Sequence, residues 1–352
     1  MSDAIGVDGA TSALVECWYP RTGRRGFSLR CGALALCLAP LAGIFSLISA
    51  LRTRLYRYGI LRTVRLPVPV IVVGNITAGG TGKTPLTLWL AQTLRVAGWH
   101  PGIVSRGYGG QGRGVRPVVL ESVADQVGDE PILLARQSAC PVWVGARRAE
   151  VGQALLAAHP EVDVLLLDDG LQHMALERDI EIAVIDGARG FGNGHRLPWG
   201  PLREGVWRLD TVSAVVINGP VNTETRSALN PAAPIYMMHL QAGVLRNLRD
   251  PTRIGTLDDF IGRPVAALAG IGHPQRFFDQ LTRLGLTPVP YAFPDHHRFV
   301  AADLPPGQVI MTTKDAVKCE AFAHSECWVL EVDAVVEDGL QDCILKRLGL
   351  NK

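Results

Sequence analysis

The stretch GNITAGGTGKTP, residues 74–85, constrains this chain more than any other. It follows the β-branched run VPVIVVGN (68–75) and precedes residues 83–97, whose apolar positions recur at helical spacing. A glycine-rich turn between a buried strand and a helix can aim its backbone N–H groups inward. The helix N-terminus adds partial positive charge there. That strand–loop–helix context makes the segment a phosphate-binding loop rather than a chance turn. Thr77, Gly79, Gly80, Thr81 and Gly82 are expected to wrap the phosphates of a nucleoside triphosphate. Lys83 would reach the β- and γ-phosphates, and Thr84 would ligate Mg²⁺. One position departs from the general pattern G-x-x-x-x-G-K-[ST], because Thr77 stands where it has glycine.

A second chemical signal is VDVLLLDDG (162–170), in which Asp168 and Asp169 close an apolar run. A buried strand of this kind delivers a carboxylate to a nucleotide-bound metal at the edge of a sheet. Neighbouring strand residues point to opposite faces, so both acids face one site only if the strand is ending, which Gly170 favours.

The rest of the chain repeats the strand–helix alternation. Short Val/Ile/Leu-rich runs occur at 102–105, 141–145, 162–169, 180–186 and 213–219, as strands buried on both faces require. Residues 146–158 have helical spacing. Further strands are expected at 264–271, 308–314 and 327–333, with helices at 274–284 and 340–348. The fold class is therefore α/β, a P-loop-type, mainly parallel sheet with a second, smaller α/β domain. At about 150 residues per domain, 352 residues allow roughly two. The Pro-, Asn- and Thr-rich stretch 218–234 is the expected boundary, giving domains 66–225 and 226–352 behind an N-terminal part, 1–65.

That N-terminal part holds an uncharged run, CGALALCLAPLAGIFSLISAL (31–51), long enough to span a bilayer. Arg21, Arg24, Arg25 and Arg30 precede it, and Arg52, Arg54, Arg57, Arg62 and Arg65 follow. A single span would carry one basic cluster across, against the positive-inside bias. A helix lying in the membrane interface, kinked at Pro40, meets both constraints. A true span, a buried core helix and a signal peptide are the alternatives. Residues 1–20 read as poorly ordered. With 35 basic against 33 acidic residues, the charge balance offers no footprint for nucleic acid. Seven cysteines, an odd count without a C-x-x-C pair, argue against a disulfide scaffold and suit a reducing cytosol.

Other polar clusters fall where loops should be: SRGYGG (105–110), VGDEP (127–131), Gln172-His173, FGNG (191–194), GPLRE (200–204) and FPDHHRF (293–299). Singly, each reads as a turn or a cap, and Asp129 could simply cap its helix. The His pair could hold a metal or act as an acid/base beside Asp295. Together with VVGNITAGGTGKTP and MTTKDAVK, and in this order, they make the chain resemble the tetraacyldisaccharide 4′-kinases, the lipid A 4′-kinase family of Gram-negative bacteria.

The resemblance runs from about residue 30 to the C-terminus and implies a reaction. The γ-phosphate of ATP passes to the 4′-hydroxyl of an acylated glucosamine disaccharide 1-phosphate, giving lipid IVA, at the cytoplasmic face of the inner membrane. It implies a catalytic carboxylate at Asp129 with a partner histidine at His296, chosen over His297. These fall in different domains, so that closure would assemble them. It implies a catalytic-site arginine at Arg148, with Arg147 as the alternative. Metal ligands would be Thr84, Asp168, Asp169 and Glu204, with Gln172 and His173 lining the nucleotide site. A monomer at the lipid surface, with no nucleic-acid partner, is expected. A membrane-associated P-loop switch and a soluble P-loop synthetase are the rivals.

Overall fold

The computed structural model describes residues 9–19, 29–229 and 232–349. In chain order the elements are α1 (Gly9–Trp18), α2 (Leu29–Arg57), β1 (Val70–Gly74), α3 (Lys83–Val96), β2 (Pro101–Ser105), β3 (Arg116–Val118), α4 (Ala124–Val127), α5 (Asp129–Ser138), β4 (Val142–Val144) and α6 (Arg148–Ala158). There follow β5 (Val164–Asp168), β6 (Ile180–Asp186), β7 (Ala214–Asn218), α7 (Thr223–Ala228), β8 (Ile235–Asn247), β9 (Ile254–Gly255), β10 (Pro264–Ala269), α8 (Pro274–Arg283), β11 (Thr287–Ala292), β12 (Val309–Thr312), α9 (Thr313–Cys319), β13 (Cys327–Val336) and α10 (Leu340–Gly349).

The chain divides into two compact units. The first comprises Met1–Lys83, Asp169–Met238 and Val336–Lys352. Its strands β1, β6, β7 and the start of β8 pair in parallel, with Gly74 opposite Ala183 and Asp186 opposite Asn218. All residues of β1 and β7 are buried, which accounts for their unbroken apolar sequences. This register brings the ends of β1, β6 and β7, and hence three loops, to one edge.

The second unit comprises Thr84–Asp168 and His239–Val335. One strand group has β5, β2 and β4 in parallel, with β3 antiparallel to β4. The other runs β11-β10-β12-β13, all parallel. Its core joins Phe260, Phe277, Phe278, Leu281 and Trp328, and each side chain fully removed from water contributes roughly 1.5–3 kcal/mol. Helix α8 starts at Pro274, where a missing N–H costs nothing, and buries Phe277, Phe278 and Leu281. Helix α5 packs on α9, with Arg136 paired to Glu320 at 2.8 Å.

The anticipated strands and helices are present, with ends shifted by a few residues. Strands β3, β8, β9 and β11 were not anticipated. β8 begins immediately after the expected boundary stretch, and its burial alternates too irregularly to announce a strand. Residues 230 and 231 of that stretch lie outside the described residues.

The N-terminal region corrects two expectations. Residues 9–19 are ordered as α1 and its end, and the Trp18 indole donates to Pro198 O at 3.0 Å. A disulfide joins Cys17 to Cys31, tying α1 to α2, which neither the odd cysteine count nor the spacing suggested. Arg21, Arg24 and Arg25 lie outside the described residues. Helix α2 contains Pro40 and exposes Leu36, Leu47 and Ile48. Residues Leu34–Arg57 are long and apolar enough to cross a membrane, and only 6% of their most apolar window is buried, unlike a core helix.

Candidate active site

In the first unit the loop after β1 is built largely by the backbone. Ala78 N donates to Pro201 O at 2.7 Å, and Arg203 N to Ile76 O at 2.7 Å. Thr77 forms an antiparallel bridge with Leu202. Thr77 is not among the residues with positive φ, so this position does not need the glycine of the general pattern. Gly79 (φ 101°) and Gly82 (φ 94°) do need their freedom. A Cβ on Gly82 would strike Nδ2 of Asn218, which donates to Thr81 O at 2.9 Å. The Thr81 hydroxyl is buried without a partner among the described residues, as a donor awaiting a phosphate oxygen would be.

Side chains from the neighbouring loops close on this turn. Gln172 Nε2 donates to Asn75 O at 3.0 Å and to Glu204 Oε2 at 2.9 Å. Glu204 is buried, with its other oxygen 3.7 Å from Arg208 Nε. Asp169 has φ 52°, which turns it out of the strand line after β5 ends at Asp168, as the Asp-Asp-Gly sequence suggested. Its carboxylate accepts two bonds from Arg203 Nη1, both 3.0 Å, and stands 3.7 Å from Lys83 Nζ. His173 follows in the same turn, its N–H donating to Gly170 O.

In the second unit, Asp168 is buried at the end of β5 and accepts from the Thr87 hydroxyl at 3.3 Å, on α3, the helix that also carries Thr84 in its first turn. Arg148 is buried and donates to Gly145 O at 2.7 Å. Arg147 is exposed and pairs with Glu150 at 2.7 Å.

Asp129 is the first residue of α5, but the cap position belongs to Gly128. A Cβ on Gly128 would strike Tyr108 O, so the glycine lets the SRGYGG loop approach. Asp129 Oδ1 accepts from Glu130 N at 2.9 Å, and Oδ2 lies 3.3 Å from Nδ1 of His296. His296 holds φ 59°, and its ring meets Tyr108 at a 4.8 Å centroid distance. His297 turns elsewhere: it contacts Asp303 at 3.0 Å and stacks on Phe293. The two histidines therefore share no metal, and among the described residues no three His, Cys, Asp or Glu side chains gather as a metal site.

Two lysines not singled out from the sequence complete this cluster. Lys314 Nζ lies 3.1 Å from Glu130, 3.2 Å from Asp295, 3.5 Å from His296 Nε2 and 3.9 Å from Asp129. Lys318 Nζ lies 2.9 Å from Asp315 and 3.9 Å from Asp129. Burial alone would push the Asp129 carboxyl upward. His296, Lys314 and Lys318 outweigh it and hold the group below the ordinary carboxylate range. Burial likewise opposes the charge on Lys314, but Glu130, Asp129 and Asp295 win and raise its pKa. The available signal was MTTKDAVK itself, in which Lys314 and Lys318 recur at i, i+4 on one helix face.

Such an arrangement offers a phosphate cradle in one unit and an ionised carboxylate beside an imidazole in the other. Residues 34–349 match the family model described as tetraacyldisaccharide-1-P 4′-kinase. A curated tetraacyldisaccharide 4′-kinase from Azoarcus sp. (strain BH72) is 53% identical over 320 residues, 90% of this chain and 93% of that one. Another from Methylobacillus flagellatus is 45% identical over 334 residues, 94% of each chain. The crystal structure of LpxK from Aquifex aeolicus in complex with ATP superposes with a TM-score of 0.75 at 28% identity, covering 90% of this chain and 99% of that one. On the strength of a match that spans nearly all of its described length, the chain belongs to the tetraacyldisaccharide-1-P 4′-kinase family.

Proposed function

We propose that this chain is an ATP-dependent kinase that transfers the γ-phosphate to the 4′-hydroxyl of tetraacyldisaccharide 1-phosphate, forming lipid IVA in lipid A biosynthesis. Family membership supports the substrate. The observation that carries the mechanism is the buried Asp129 carboxylate 3.3 Å from His296. A sugar hydroxyl is a poor nucleophile, and the pair takes its proton as the phosphoryl group arrives.

The cradle of residues 77–82 binds the ATP phosphates and Lys83 neutralises them. Gln172 and His173 line the nucleotide site. Arg148 rather than Arg147 steadies the transferring charge, in keeping with its burial. Mg²⁺ takes oxygen donors, mostly phosphates and water with one or two protein groups, and neutralises phosphate charge when bound. The Thr84 hydroxyl and the buried Asp168 carboxylate fit that need, and no three-residue metal cluster is required. Asp169 and Glu204 act from the surrounding shell, since both are already engaged by Arg203 and Gln172.

The exposed apolar face of α2, with Arg52, Arg54 and Arg57 at its end, supports work at a membrane surface; we take that surface to be the cytoplasmic one and the working form to be a monomer. The acyl chains then stay in the bilayer during turnover.

The test is phosphate transfer from γ-labelled ATP to tetraacyldisaccharide 1-phosphate in detergent micelles. Mg²⁺-dependent labelling of the lipid is expected, lost in Lys83→Ala and Asp129→Ala. ATP hydrolysis without labelled lipid would move the assignment to a P-loop switch. Flotation of wild type with anionic vesicles, lost on replacing Leu47 and Ile48 by Asp, tests the surface assignment.

A further inference from the structure

We propose that Lys314, backed by Lys318, is a positioning residue for the Asp129–His296 pair. Its ammonium faces Nε2 of the ring, so the imidazole proton rests on Nδ1, toward Asp129, and the carboxylate stays charged. This rests on the base assignment made above.

A lysine ammonium has three donors and no acceptor. It lies 3.5 Å from Nε2 of His296, while Nδ1 of the same ring faces Asp129 Oδ2 at 3.3 Å. A protonated Nε2 would point its hydrogen at that cation. An unprotonated Nε2 offers it a lone pair. The single proton of a neutral ring therefore belongs on Nδ1, the side on which the Asp129 carboxylate lies.

Lys314 is itself fixed from three sides. Glu130 on α5 and Asp295 on the loop before His296 hold Nζ at 3.1 and 3.2 Å. Its own helix is anchored by Thr312, whose hydroxyl accepts from Asp315 N at 3.2 Å. Lys318 stands behind Asp129, held by the fully buried Asp315 and lying 4.9 Å from the ring of Phe299. Asp315 in turn accepts from Gly270 N at 3.0 Å and from the Thr312 hydroxyl at 2.6 Å. The charged and titratable groups facing the pair are thus Glu130 from α5, Tyr108 from the loop after β2, Asp295 from its own loop, and Lys314, Lys318 and Asp315 from α9. Removing the Lys314 charge leaves the carboxylates Glu130 and Asp295 beside the pair, which favours its proton-bound form. Removing the Glu130 charge does the opposite.

The test is the pH dependence of kcat for phosphate transfer to tetraacyldisaccharide 1-phosphate in micelles, at saturating ATP and Mg²⁺. Lys314→Met is expected to move the acid limb upward by about one pH unit, a roughly tenfold loss of kcat below the limb, with KM for ATP unchanged. Lys314→Arg, which keeps the charge, should retain the wild-type limb. Glu130→Gln should move it downward. Opposite shifts from the two neutralising variants cannot come from a general loosening of the fold. If Lys314→Met fails to fold, Glu130→Gln and Lys314→Arg still decide.

An acid limb that stays in place in Lys314→Met and in Glu130→Gln, while Asp129→Ala and His296→Ala abolish transfer, overturns the lysine's role and spares the base assignment. Retention of kcat in both alanine variants overturns the base assignment and the lysine's role with it. Imidazole nitrogen shifts of ¹⁵N-labelled protein give a reading free of turnover. The Nδ1–H form is expected for His296, and an Nε2–H form would refute the proposal.

Discussion

The turn after β1 and the cluster around Asp129 are two ways of making a polar site. In the turn, backbone groups do the holding: Ile76 O, Ala78 N, Thr81 O and the positive φ of Gly79 and Gly82. In the cluster, charged side chains hold one another: Asp129, His296, Lys314 and Lys318 lie within 3.9 Å of a neighbour. A backbone-built site binds whatever carries the right oxygens and tolerates side-chain change where φ permits. A charge-built site is a tuned chemical group, sensitive to every member and to pH.

The largest effect that sharpens this contrast is Asp129→Asn. Loss of the ionised carboxylate should lower kcat by about 10²- to 10⁴-fold while ATP affinity holds, measured by single-turnover transfer and nucleotide titration. Comparable loss of ATP binding would break the division of labour. Gly82→Ala should do the reverse. Forcing a side chain to φ 94° against Asn218 costs about 1–3 kcal/mol, which should weaken ATP binding roughly ten- to a hundredfold. It should leave the acid limb of kcat where it was.

A third effect concerns stability. The Asp129 pKa is held low in the folded state, chiefly against its own burial, by His296, Lys314 and Lys318. Its stabilising contribution is therefore complete above the unfolded value of about 4 and is lost as pH falls through the lower folded value. Tm of the wild type should drop in that acid window, and Asp129→Asn should flatten the drop. An unchanged acid slope in the variant would show that other carboxylates set it. The smallest effect is Thr77→Gly. Restoring the general loop pattern should leave ATP affinity within error and cost at most about 1 kcal/mol of stability, read by denaturant unfolding. A gain in affinity would mean that the threonine restrains the loop.

The same contrast explains what could be read from the residues alone. The loop after β1 is contiguous, and its glycine spacing states its geometry directly, as does the Asp-Asp-Gly end of β5. Buried strands announced themselves by unbroken apolar runs. Strand β8 did not, because its exposed and buried positions follow no simple period. The cluster draws on four separate segments, around 108, 129, 295 and 314, so motif order could nominate Asp129 and His296 but not the distances between them. That the two neighbouring rings part company, His296 toward Asp129 and His297 toward Asp303, is visible only in the fold. Lys314 and Lys318 were missed because lysines on a short helix look like ordinary surface. Only packing of α9 on α5 buries Lys314 among carboxylates. Cys17 and Cys31 were missed because spacing does not reveal which thiols meet.

The ties between the loop at 76–78 and the strip at 201–204 have a consequence for the entropy of ligand capture. A glycine-rich segment ordinarily surrenders much conformational freedom when it closes on a phosphate. Here the entry half of the turn is already laced to its neighbour by Ala78 N, Arg203 N and the Thr77–Leu202 bridge. That part of the ordering cost was met when the protein folded. More of the contact energy with the incoming phosphates then remains as affinity.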